Sequence, residues 1–317
     1  MQVCLMVEGQ EDVTWEQWLA LAAAAEEAGL DGLFRSDHYG PSRPGRGSLD
    51  AWATLAALAV HTSRVRLGTL VSPVTFRHPS ELAKVAATVD HVSAGRVELG
   101  LGAGWNESEH TAYGFPFPDL GERMELLEEQ VEIVHRSWTE DSFSFTGRHY
   151  RLDGCEALPK PLQRPRPPLI IGGEAKPRSV ALAVRFADEY NTFLASPAEY
   201  RERRARLVEA CEKAGRDPAS LRYSVMATCV VGADRGEVLE RTRLVESLFG
   251  DPNEDPEDVL RRRADTWLAG TPDEALERLR ELADAGVERV YLQHLAHEDI
   301  EMVQLVGSEL LPAVSEL

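Results

Sequence analysis

Three short stretches of the chain hold residues able to do chemistry. The first is Ser36-Asp37-His38-Tyr39, where a carboxylate and an imidazole are adjacent. An imidazole exchanges a proton near neutral pH. On a strand, consecutive side chains face opposite sides, so only one of the pair can look into a shared site unless the strand has ended. The plain alternative is that Asp37 caps the next loop and His38 lies on the surface. The second stretch is Gly100-Leu101-Gly102-Ala103-Gly104, followed by Trp105-Asn106-Glu107. As a dinucleotide fingerprint it is weak, because the third glycine is misplaced and no helix is expected directly after it. Glycines at a strand end instead let something planar lie against the backbone. The third stretch is Gly172-Gly173, with Lys176, Arg178 and Ser179 around the start of the next helix. Free N–H groups after a glycine turn bind anions, and the two cations add charge. A simple turn explains the same pattern.

These stretches recur at one place in a repeating pattern. Strands are expected over 3–7, 30–36, 65–71, 97–101, 169–171, 190–193, 223–231 and 289–293. Helices are expected over 15–28, 49–61, 79–92, 121–138, 178–187, 197–214, 236–249, 258–268 and 272–285, with a last one from about 299. Thr14 with Gln17 three residues on is a capping-box signature, and Gly29 closes that helix. The strands are short and apolar on both faces, as buried parallel strands are. Eight βα units predict one (β/α)8 barrel spanning 1–317, and not an open sheet with a second domain. Residues 139–168 break the rhythm. They hold a small hairpin about Thr146-Gly147, then five prolines between 158 and 168, and no helix survives that density. This excursion and the 250–268 segment are expected to border the mouth of the barrel. In such a barrel the site lies at the C-terminal strand ends, which is where all three stretches fall.

Composition removes other readings. The formal net charge is −19, which argues against nucleic acid as a partner. Four scattered cysteines without a C-x-x-C pair make a disulfide framework or a zinc ribbon improbable, so no metal site is expected. No apolar run is long enough to span a membrane, and the first eight residues lack the basic start of a secretory signal. A cytoplasmic location is the expectation.

The run from Val65-Arg66-Leu67-Gly68-Thr69-Leu70-Val71-Ser72-Pro73 to Pro79, with Arg96-Val97-Glu98-Leu99-Gly100 to Trp105, resembles the bacterial luciferase-like monooxygenase superfamily. It looks most like the branch that uses the deazaflavin coenzyme F420. Ser36-Asp37-His38 and Ile171-Gly172-Gly173 match as well, and the similarity covers nearly the whole chain. The resemblance implies a barrel with the cofactor ring at its mouth. Asp37 and His38 would lie by the ring, His38 serving in proton transfer, with Glu107 and Asn106 as weaker candidates. The third strand would carry a non-proline cis peptide at Leu70-Val71, supporting the ring from behind. Gly102, Ala103 and Gly104 would lie by the ring and its side chain. Gly172, Gly173 and the helix start with Lys176, Arg178 and Ser179 would hold the phosphate. Relatives commonly form homodimers, and the Ala-rich helix near 51–60 has the small side chains for close packing.

Two positions depart from the deazaflavin sugar-phosphate dehydrogenases. They carry Trp where this chain has Ser42, and Glu where it has Trp105, which speaks against glucose 6-phosphate as the substrate. The resemblance implies an oxidoreductase acting on a small molecule. Two rivals keep the fold: a two-component monooxygenase using reduced flavin mononucleotide (FMN) and oxygen, and a barrel retained only for binding.

Overall fold

The computed structural model describes residues 1–40 and 45–314, so Ser42 lies outside the described residues. The order of elements is β1 (Gln2–Val7), α1 (Trp15–Ala28), β2 (Gly32–Arg35), α2 (Ala51–His61), β3 (Arg66–Pro73), α3 (Pro79–Val92), β4 (Val97–Gly102), α4 (Glu107–Tyr113) and α5 (Leu120–Thr139). A hairpin of β5 (Phe143–Thr146) and β6 (Arg151–Cys155) follows. The second half runs β7 (Leu169–Gly172), α6 (Pro177–Phe186), β8 (Glu189–Phe193), α7 (Pro197–Lys213), β9 (Arg222–Val231), α8 (Arg235–Phe249), α9 (Pro256–Arg263), β10 (Leu268–Gly270), α10 (Pro272–Asp284), β11 (Arg289–His294), α11 (Ile300–Leu305) and α12 (Leu311–Val314).

Eight parallel strands close into a ring in the order β1-β2-β3-β4-β7-β8-β9-β11, and β11 pairs back onto β1. Alternation along each strand builds two cores. Val3, Leu5 and Val7 of β1 point out to the helices and join a large shell with Trp18, Leu21 and Leu55. Cys4 and Met6 point in and meet Phe34, Leu70, Ile170 and Tyr291 on the barrel axis. Below them, at the N-terminal strand ends, the interior is polar. Arg289 donates through Nη1 to Glu98 Oε2 at 2.7 Å and to Glu189 Oε2 at 2.9 Å, all three buried. Arg66 pairs with Glu98 and Arg222 with Glu189 from the edge of this layer.

The capping box of Thr14 and Gln17 is formed, and Gly29 closes α1 at φ 86°. Helix α3 occupies the expected span. The hairpin expected about Thr146-Gly147 turns over 147–150 and returns as β6, because His149 and Tyr150 turn their N–H groups to the Glu129 carboxylate on α5. Two local expectations are corrected. Helix α4 stands where the chain after Gly104 was read as lacking one; Asn106 caps it and Gly114 ends it at φ 72°. The helix expected over 258–268 stops at Arg263, and Leu268–Gly270 forms β10 against the last residues of β9.

The 139–168 excursion does not border the mouth, whereas Val259 and Trp267 of the 250–268 segment pack behind Leu194, Phe249 and Leu295 at the mouth. Residues 139–168 pack along α3 and α5. Lys84 donates to the Leu158 carbonyl, and Gln163 bonds Asp90 and the Val97 carbonyl at the start of β4. Neither this stretch nor 250–268 contributes a residue to the cleft described next; Phe249, just ahead of the second, does. No helix of the described residues is long and apolar enough to cross a membrane.

Candidate active site

A cleft of about 760 Å³ opens at the C-terminal strand ends. Its floor is Leu70 and Val71 of β3, and the peptide bond between them is cis, as the resemblance implies. The β3–β4 register slips there, between Thr69 and Ser72. Glycines on both sides keep the walls apart. A Cβ on Gly102 would meet Val71 Cγ2 at 2.7 Å, and one on Gly172 would meet Val71 Cγ1 at 3.4 Å. The result is a slot with an apolar floor and bare-backbone walls. That shape suits a flat, fused ring.

The end of β2 supplies the imidazole. Ser36 and His38 line the cleft, while Asp37 points the other way, as alternation demands. Asp37 is buried and accepts hydrogen bonds from Ser72 Oγ at 2.6 Å and Arg77 Nη1 at 2.5 Å. Arg77 reaches on to Asp50 at the start of α2. Asp37 thus braces β2 against β3 and α2.

His38 Nδ1 donates to Glu109 Oε1 at 2.7 Å. The other Glu109 oxygen accepts the N–H groups of Tyr39 and Gly40, each at 3.1 Å. Glu109 only accepts, so the Nδ1 proton is fixed and Nε2 is left for the cleft. Burial opposes a charge on His38. The Glu109 hydrogen bond and the Glu109, Glu8 and Asp37 carboxylates outweigh it and raise the pKa above the usual histidine value. Glu109 sits in the first turn of α4, where its N–H is capped by Asn106 Oδ1. Trp105 stands edge-on to His38, with ring centroids 5.7 Å apart.

β1 lies beside β2, and Glu8 follows directly on β1. Its Oε1 accepts from Gln293 at 2.6 Å and its Oε2 from Gln10 at 3.0 Å. Ser36 Oγ donates to Gln10 Oε1 at 2.5 Å, which ties this polar wall to β2. The rest of that side is apolar: Phe193, Leu194, Met226, Phe249 and Leu295.

The glycine turn after β7 is organised by a phenol. Tyr190 Oη accepts the Ala175 N–H at 2.7 Å and shares a hydrogen bond with Ser179 Oγ at 3.0 Å. A Cβ on Gly173 would meet that oxygen at 2.7 Å.

A family model described as luciferase-like monooxygenase matches residues 2–289. The chain belongs to this family. The F420-dependent glucose-6-phosphate dehydrogenase of Nakamurella multipartita is 32% identical, covering 94% of this chain and 92% of its own. The F420-dependent hydroxymycolic acid dehydrogenase of Mycobacterium tuberculosis is 28% identical, with 97% and 87% covered. Among solved structures, an F420-dependent secondary alcohol dehydrogenase in complex with an F420-acetone adduct superposes with a TM-score of 0.82 at 24% identity, covering 99% of this chain and 98% of that one.

On this luciferase-like frame the residues expected from sequence divide. His38, Leu70, Val71, Gly102, Ala103, Gly104, Gly172 and Gly173 all line the cleft. Asp37 lies behind it, and Asn106 works as the cap of α4. Glu107 is exposed in the first turn of α4 and lines nothing, because the helix turns Glu109 inward in its place. Lys176 pairs with Glu174 in solvent. Arg178 lies against α5, bonded to Glu128 and the Gly121 carbonyl. Neither cation faces the cleft, which corrects their assignment to an anion site. Ser179 serves the turn through Tyr190. Arg203 on α7 donates to Thr192 Oγ1 close by, and its charge acts on both Tyr190 and Glu174. Sequence reading missed Glu8 and Glu109, which line the cleft. Of the other strand-end residues, His294 is buried behind the cleft with its pKa pushed down to about 4, and burial raises the Cys229 thiol to about 12. Both stay uncharged near neutral pH.

Proposed function

We propose that this chain is an F420-dependent oxidoreductase that moves hydride between the deazaflavin ring and a small organic substrate, with His38 taking or giving the accompanying proton. The observation that carries the proton role is the His38–Glu109 pair, which fixes one ring nitrogen and turns the other to the cleft. Bound F420 supplies a carbon that gives or accepts hydride and activates oxygen poorly. Leu70 and Val71 support the ring from below, and Gly102 and Gly172 leave room for its edges. The first-turn N–H groups of α6, at Arg178 and Ser179, would hold the cofactor phosphate. Trp105 and the apolar wall keep water from the reacting carbons.

Titrating the protein with F420 and with FMN, followed by fluorescence, tests the cofactor. F420 is expected to bind and FMN to bind far more weakly. Tight FMN binding with none for F420 would turn the reading to oxygen-dependent chemistry, and binding of neither to a non-catalytic barrel. His38→Ala tests the residue. Turnover is expected to fall ~10²–10⁴-fold while the F420 Kd stays within about threefold. Equal losses in both would remove the proton role.

The same proposal takes residues 1–317 as one functional domain, working as a cytoplasmic homodimer. The four cysteines are free thiols, which suits a reducing compartment. Val60 on α2 is 68% exposed, and Val92 at the end of α3 43%, an apolar surface beside the small side chains of α2. Light scattering on the eluting protein gives the mass that decides the dimer.

A further inference from the structure

A second cavity, of about 100 Å³, lies between α3, α5 and the strap that follows β6, and shares no residue with the cleft. The strap is tied down on both helices. Lys84 donates to the Leu158 carbonyl, and His91 Nε2 to the Lys160 carbonyl at 2.8 Å. Lys160 in turn donates to the Ser137 carbonyl at 2.9 Å. The cavity is therefore a walled space and not a gap under a loose loop.

Three groups in its lining have chemistry left over. Ser137 is 1% exposed, and its hydroxyl has no hydrogen-bond partner. A buried hydroxyl left unpaired costs free energy that a ligand atom recovers. Trp138 does not compete for that ligand, because its indole N–H is bonded to the Ala83 carbonyl at 3.0 Å. Lys84 is the only charged side chain of the lining among the described residues, and its ammonium has two donors beyond the one given to Leu158. Cys155 lines the same space and is the one cysteine of the four that is not buried. The other three are shut in, and burial raises each thiol above its ordinary pKa, away from the reactive thiolate.

We propose that this cavity is a reversible thiolation site, in which Cys155 forms a mixed disulfide with a small thiol that carries a carboxylate. The reactant is the symmetrical disulfide of that thiol. Cys155 gives its proton to solvent and its sulfur attacks the disulfide. One S–S bond forms as the other breaks, and the second half leaves as thiolate. A free thiol reverses the exchange. The captured half lies in the cavity with its carboxylate at Lys84 and Ser137. A space of about 100 Å³ equals roughly three waters, which admits a two-carbon acid and excludes a tripeptide.

The test treats the full chain with dithiodiglycolate (short, anionic halves), cystamine (short, cationic halves) and glutathione disulfide (tripeptide halves). Mass spectrometry follows the adducts and peptide mapping locates them. Each rate is taken relative to the same reagent on the urea-unfolded chain, which removes intrinsic reactivity. A single adduct is expected, on Cys155, and none on Cys155→Ser. Dithiodiglycolate should react roughly tenfold faster than either other reagent, and Lys84→Gln should remove most of its lead over cystamine. Ser137→Ala should lower the equilibrium constant of the thioglycolate adduct about fivefold and leave the melting temperature unchanged, since the hydroxyl has no partner to lose. Equal relative rates for the three reagents, or adducts spread over several cysteines, overturn the proposal. An adduct equilibrium that Ser137→Ala does not move overturns the placement of the acid in the cavity.

Discussion

His38 is only 13% exposed, and that burial alone would lower its pKa. Glu109 at 2.7 Å reverses the sign, so the ring stays protonated to higher pH than a free histidine. Oxidation of the substrate needs the neutral ring, and its rate therefore climbs as pH rises through the raised value. Glu109→Gln removes the charge and lets burial act, so this limb should move to lower pH. Reduction needs the protonated ring, and its falling limb should move the same way. The plateau kcat should drop at least roughly tenfold as the ring loses its anchor. Rate profiles of both directions check this, and unmoved limbs would show that Glu109 does not set His38. Sequence reading found the imidazole, and named Glu107 only as a weaker candidate for the proton transfer, but not the carboxylate that pairs with His38. The contact joins residues 71 positions apart, and no local pattern encodes that distance. One local signal was present: Asn106 with Glu109 three residues on has the form of a helix start, which would have turned Glu109 to the capped side.

Helix phase decides what the elements deliver. In α6 the buried face is Ser179, Val180, Leu182, Ala183 and Phe186. Arg178 and Arg185, seven residues apart, fall on the face turned to α5, where they meet Glu128 and Glu132. That periodicity was legible in the sequence; the acidic stripe of α5 waiting opposite was legible only once the two helices were neighbours. The slot is a similar case. Three glycines at a strand end announce close approach, but the partner, Val71, is set by the register of β3 against β4. Gly102→Ala places a methyl 2.7 Å from Val71 Cγ2 and pushes that side chain into the slot. Overpacking of this kind costs ~1–3 kcal/mol, which should appear as a roughly 10- to 100-fold weaker F420 Kd if the side chain yields into the cleft. A normal Kd with a lowered melting temperature would mean the strain is taken elsewhere. Asp37 gives the opposite pattern. It braces three elements from behind the cleft, so Asp37→Ala should cost up to ~3–5 kcal/mol, moderated by Asp50, which still pairs with Arg77. The F420 Kd of the folded variant should stay within about threefold, where contact with the ring would predict a large loss.

At the scale of the whole barrel, closure was readable because eight short apolar runs alternate with helical periods, and a ring of eight parallel strands is how such units bury both strand faces. Its charged lower layer was not readable. Glu98 and Glu189 fall inside apolar strands 91 residues apart, and only closure brings Arg289 between them. Burial disfavours charge on Glu98, yet Arg289 and Arg66 hold its pKa below the usual carboxylate range. A depressed pKa in the fold means the layer stabilises the barrel at pH above the unfolded carboxylate value and loses that contribution as pH falls through the folded one. Arg289→Leu removes the shared cation and leaves two buried carboxylates with only Arg66 and Arg222 at the edge. At pH 7.5 the variant should be less stable by ~3–5 kcal/mol. At pH 5 the parent still keeps its ion pairs, because its folded carboxylate value lies lower, but the variant's uncompensated buried carboxylates begin to take up protons, so the gap between the two should narrow toward pH 5. Urea unfolding of both proteins at the two pH values measures it. A gap that stays constant would place the loss in packing around the Leu side chain, and not in the charge layer that closes the barrel floor.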